Sequence, residues 1–156
     1  RMALATPYLT VAARVARLAK ECEGRRTVVV DASGVGAPVV EMIRWAATDT
    51  AVVPVTITAG GDSRPDRLNG GYTVSRRDLL SALRVVVESG RLTVARSAYE
   101  GNALNEELKR VGAHSGREHD DLAVAMALAV WQARRGMTGL TVGRTLEGDE
   151  NSEHGL

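Results

Sequence analysis

The apolar positions change period several times along this chain, and each change marks an expected element. Leu9, Val11, Ala12, Val15, Leu18 and Ala19 recur at helical spacing after Thr6 and Pro7, which predicts a helix from about Tyr8 to Cys22, ended by Gly24. Thr27-Val-Val-Val-Asp31 is a continuous β-branched run, the pattern of a strand buried on both faces. Gly34, Gly36 and Pro38 form a turn, and Val39, Val40, Ile43, Ala46 and Ala47 then share one helical stripe. A second buried strand is expected over Ala51 to Thr58, followed by a long polar loop, Ala59-Gly-Gly-Asp-Ser-Arg-Pro-Asp66.

The second half repeats the alternation. A short strand at Tyr72-Thr-Val74 precedes a helix marked by Leu79, Leu80, Leu83, Val86 and Val87, which ends near Gly90. Arg91 to Ala95 reads as a strand and Ala103 to Val111 as a shorter helix. The last helix is expected from about His119 to Arg135; its apolar residues run nearly all round, so it is buried, with Ala123, Ala127 and Ala133 allowing close approach to a sheet. Helices alternating with hydrophobic strands predict an α/β fold, a mostly parallel sheet with helices on its faces and ligand sites beyond the carboxyl ends of its strands. Asp31 stands at such an end.

Composition narrows the class. The 156 residues, 44% hydrophobic and 25% charged, suit one soluble globular domain, and with no Phe, two Trp and three Tyr its core is built from aliphatic residues. A single cysteine, Cys22, excludes a disulfide framework and a Cys-based zinc site, and points to a reducing, cytoplasmic compartment. No apolar run reaches the roughly 20 residues that span a bilayer, and no signal peptide is recognisable. The net charge is +1, unevenly spread: Arg144 against Glu147, Asp149, Glu150 and Glu153 leaves −3 on residues 137–156 and +4 on the rest. Residues 1–136 are therefore expected to form the domain, mildly basic, and 137–156 a flexible acidic tail. The chain begins with Arg1 and is expected to be a piece of something longer.

Three clusters could carry chemistry. Asp31 is either a turn residue bonding its own loop or a ligand held at a strand terminus. His119-Asp120-Asp121 opens the final helix, where aspartates either cap the helix or converge with Asp31 on hard divalent cations such as Mg²⁺ or Mn²⁺. Arg76-Arg77, after a strand, is either a solvated pair or a phosphate contact. Gly34 and Gly36 begin a dinucleotide fingerprint, but Val39 stands where its third glycine belongs, and no G-K-[ST] phosphate loop occurs.

Taken in order, Thr6-Pro-Tyr8, Val11-Ala-Ala-Arg-Val15, Val28-Val-Val-Asp-Ala-Ser-Gly-Val-Gly36, Val53-Pro-Val-Thr-Ile-Thr58, Val74-Ser-Arg-Arg-Asp-Leu79, Ser89-Gly-Arg-Leu92, Glu106-Glu-Leu108 and His119-Asp-Asp-Leu122 resemble the carboxyl-terminal nuclease domain of bacteriophage large terminases, over about residues 3 to 133. The resemblance implies a ribonuclease H-like mixed sheet flanked by helices, and a parent enzyme that cleaves concatemeric double-stranded viral DNA in the host cytoplasm with two divalent metal ions. By position, Asp31 matches the family's second acidic residue and Asp121 its last, with Asp120 assisting; Arg76 or Arg77 replaces a lysine and contacts DNA. The parent's partners would be an ATPase domain, the small terminase and the portal. Two departures stand out: the family's first strand, with another aspartate, would precede Arg1, and only ten residues separate Leu108 from His119 where the family has a longer insert. This polypeptide, amino-terminally truncated relative to the family, is therefore expected to bind metal weakly and cleave little by itself. The alternatives are a catalytically inactive prophage-derived domain that binds DNA or a protein partner, and a nucleotide-binding α/β domain.

Overall fold

The computed structural model describes residues 2–3, 5–34, 36–66, 70–95, 98–111 and 120–141. The chain runs α1 (Tyr8–Glu21), β1 (Thr27–Asp31), α2 (Gly36–Ala46), β2 (Ala51–Thr58), β3 (Arg64–Asp66), β4 (Gly71–Ser75), α3 (Arg76–Glu88), α4 (Gly101–Val111) and α5 (Asp121–Thr141). The four strands form one mixed, open sheet in the order β1-β2-β4-β3. β1 pairs with β2 and β2 with β4 in parallel, whereas β3 runs antiparallel to β4 at the edge.

Register and pleat assign each strand's two faces. Val29 lies level with Val53, Val55 with Tyr72, and Ile57 with Val74. These residues bury one face of the sheet against Leu79 and Leu83 of α3 and Ala127 and Leu128 of α5. The alternate residues Val28, Val30 and Val52 face the other way, onto Ala12 of α1 and Val39 and Ile43 of α2. Helices therefore cover both faces. The run of valines in β1 follows from this, because neither face of that strand can be polar.

Gly71 and Pro54 fix how β4 joins. Gly71 is buried, and a Cβ there would strike the Pro54 carbonyl oxygen and lie 2.7 Å from its Cγ. The β2–β4 ladder begins at the next residue, Val55, so the N–H that proline lacks falls outside it. Pro65 is tolerated for a related reason, since β3 is an edge strand.

The direction of α5 matters most for function. Trp131 of α5 packs edge-on against Tyr72 at the start of β4, with ring centroids 5.3 Å apart, and Arg135 lies 3.6 Å over the Tyr72 ring. Gln132 and Ala133 line a cleft with Thr27 at the start of β1. The helix thus runs opposite to the parallel strands, and its first residues arrive at their carboxyl edge.

Several expectations are revised. Residues 64–66 of the expected polar loop form β3, whose return stroke lets β4 lie parallel beside β2 without a crossover helix. Residues 91–95 do not form a strand; Leu92 packs on the α3–α5 core, so its apolar side chain is satisfied by helices and not by a ladder. Ala133, unlike Ala123 and Ala127, is exposed. The final helix passes the expected stop at Gly136 and continues to Thr141, within what was expected to be tail; a helical glycine costs only about 1 kcal/mol. Residues 142–156 of that tail, and His114 and His119, lie outside the described residues.

Gly71→Ala is expected to lower the unfolding free energy by about 1–3 kcal/mol through overpacking against Pro54. Leu83→Ala, at a fully buried position, should lower it by about 2–5 kcal/mol. Urea denaturation of both variants checks this, and a neutral Gly71→Ala would contradict the close approach of β2 and β4.

Candidate functional site

β2 and β4 end level, at Thr58 and Ser75, whereas β1 ends three residues earlier, with Asp31 level with Val55; the sequence-expected residues lie along this carboxyl side of the sheet. Asp31 closes β1 on the same face as Val29, the face that α5 covers. It is exposed, and its Oδ1 accepts a hydrogen bond from the Ser33 backbone N–H at 2.9 Å. Ser33 in turn ties the turn to the next strand, its Oγ accepting from the Ile57 N–H at 2.8 Å. One carboxylate oxygen of Asp31 thus builds the turn that holds it. The turn then enters α2 at Gly36, whose φ of +69° lies in the left-handed region that glycine tolerates best.

The Asp120-Asp121 pair lies at the same edge, where α5 starts. Asp120 occupies the capping position, since its carbonyl accepts the first helical bond, from the Val124 N–H at 2.9 Å. Its carboxylate makes an ion pair with Arg76, the first residue of α3. Asp121 is exposed. Ser75 caps α3, its Oγ accepting from the Asp78 N–H at 3.1 Å, which orients the first turn of that helix and therefore Arg76. Arg77 is exposed beside it. Asp31 and the Arg76–Asp120 pair lie toward the carboxyl side of one face, but β2 lies between β1 and β4, a lateral offset of roughly 10 Å, and Asp31 is level with Val55 and Tyr72, three residues short of Ser75, which adds roughly 10 Å along the strands.

One residue of this site was not singled out from the sequence. Glu107 of α4 is 4% exposed, and its Oε2 accepts from the backbone N–H groups of Leu122 at 2.8 Å and Ala123 at 3.0 Å. The cap of α5 is thus supplied from another helix, and not by the aspartates of its own first turn. A signal existed: Ala103, Leu104, Glu107 and Leu108 share the apolar stripe of α4, where a glutamate is out of place unless a partner meets it.

Among the described residues, no three or more His, Cys, Asp or Glu side chains are grouped so as to hold a metal ion. Val39, at the place of the dinucleotide fingerprint's third glycine, is buried with Ala12 and Ile43. No described helix is long and apolar enough to cross a membrane. No protein-family model, curated protein or solved structure matches the chain.

Arg76 and Asp120 are partly open to solvent, so a double-mutant cycle of Arg76→Ala and Asp120→Ala should return a coupling of about 0.2–1 kcal/mol that shrinks with added salt. A salt-independent coupling above that range would mean that the pair is shielded from water.

Proposed function

We propose that this chain is part of the nuclease domain of a bacteriophage large terminase, and that its sheet is of the ribonuclease H-like kind. The observation that supports the reading is that Asp31 and the Asp120-Asp121 pair lie toward the carboxyl side of one face of the sheet, although an intervening strand and three residues of register keep them apart. These residues are about ninety positions apart in sequence, and they match acidic positions of the family by motif. The mixed four-stranded sheet with helices on both faces supports it.

Oxygen donors of this type suit Mg²⁺ or Mn²⁺. The donor set in this chain does not by itself fit a two-metal centre. Asp31 uses one oxygen in its own turn, Asp120 is engaged by Arg76, and no third acidic group completes a cluster among the described residues. In the family, a further aspartate on the first strand would complete such a set. The enzyme would be a metal-dependent endonuclease on double-stranded DNA, and this chain alone would be inactive or nearly so. Arg77, exposed at the start of α3, is the better placed of the two arginines to contact a phosphate, because Arg76 already has an acidic partner. In the whole protein the partners would be the ATPase domain, the small terminase and the portal.

The incomplete donor set also favours a second reading, a domain of the same fold that binds DNA or a partner without cutting. The two differ in their response to metal. A polypeptide extended upstream through the family's first strand should nick plasmid with Mn²⁺, and Asp31→Ala should reduce that rate by at least the roughly 10–100-fold that losing an outer-shell partner costs. Equal nicking by both would reject the nuclease reading, whereas salt-sensitive DNA binding unaffected by chelation, without nicking, would support the second.

A further inference from the structure

An aspartate at the capping position of a helix ordinarily turns its carboxylate back onto the amides two and three residues ahead. For Asp120 those amides belong to Leu122 and Ala123, and Glu107 Oε2 already accepts from both. Asp120 instead reaches outward to Arg76. The two carboxylates therefore compete for one pair of donors, and the buried one from α4 holds them.

We infer that Glu107 is a positioning residue: by capping α5 from α4, it releases Asp120 from the cap and leaves the Asp120-Asp121 pair facing the carboxyl edge. The negative charge of Glu107 lies where α5 presents its positive end, which supplies the electrostatic reason for it to win the competition while buried. Leu108, next to Glu107, packs on the α3–α5 core, so the orientation of α4 is anchored independently of the cap. The assignment rests on the reading of this edge as the working end of the domain. Its test uses neither metal nor DNA, so its failure is separable from a failure of nicking.

The chain itself suffices for the test. In Glu107→Ala, Asp120 should turn inward to take the vacated amides, and the Arg76 Nη2–H resonance should lose the shift it owes to the Asp120 pair. Amide exchange at Leu122 and Ala123 should then quicken only slightly. In Glu107→Ala/Asp120→Ala, with neither cap, it should quicken about five- to tenfold beyond either single variant, the scale of one lost cap. Glu107→Gln keeps an acceptor oxygen and should leave Arg76 as in the parent chain. Additive effects, or an unchanged Arg76 signal in Glu107→Ala, would overturn the assignment, because a glutamate serving stability alone would leave Arg76 undisturbed. If Glu107→Ala does not fold, Asp120→Ala decides: retained protection of the two amides supports Glu107 as their holder, and lost protection refutes it.

Discussion

Ala127 of α5 is fully buried in the core with Val55, Val74, Leu79 and Leu83, and Ala123, one turn earlier, is fully buried as well. The helix can therefore lie close on the apolar face formed by Val29, Val55 and Val74. With α5 seated there and its far end held by Trp131 and Arg135 over Tyr72, the position of its first residue is no longer adjustable. Asp120 and Asp121 reach the carboxyl edge because a packed helix of this length and direction has to begin there. The candidate site is a consequence of core packing far from it.

At that edge, neighbouring charges share their partners. The first turn of α5 offers backbone donors, and a helix of this burial needs them satisfied. Glu107 meets that need from outside the helix, Arg76 draws Asp120 sideways, and Ser75 holds the first turn of α3 from which Arg76 projects. Two helix starts and the middle of α4 are thus linked through side chains. Rigid elements of this kind suit a site whose groups must be held in place.

The edge is acidic with adjoining arginines, and its carboxylates Asp31 and Asp120 are engaged within the protein. Asp31 stabilises its own turn through one carboxylate oxygen. The bland and the functional readings of that residue are therefore compatible: the turn presents the carboxylate, and its second oxygen is not required for the turn.

The strands and most helices were legible in the sequence because their signals are local. β1 and β2 lie where continuous β-branched runs predict them, and α1 and α2 follow stripes of period 3.6, since burial against a neighbouring layer imposes those periods whatever the neighbour is. Asp31 at a strand end and Asp120-Asp121 at a helix start were legible for the same reason. What no local pattern contains is pairing over distance. β3 became a strand because β4 lay beside it, and residues 91–95 did not because no strand did. Glu107 found the amides of α5, and Arg76 found Asp120, across separations of fifteen or sixteen and of forty-four residues. Hydrogen bonds and ion pairs are decided by which donors and acceptors the packed layers bring within about 3 Å, and only the folded chain sets that distance.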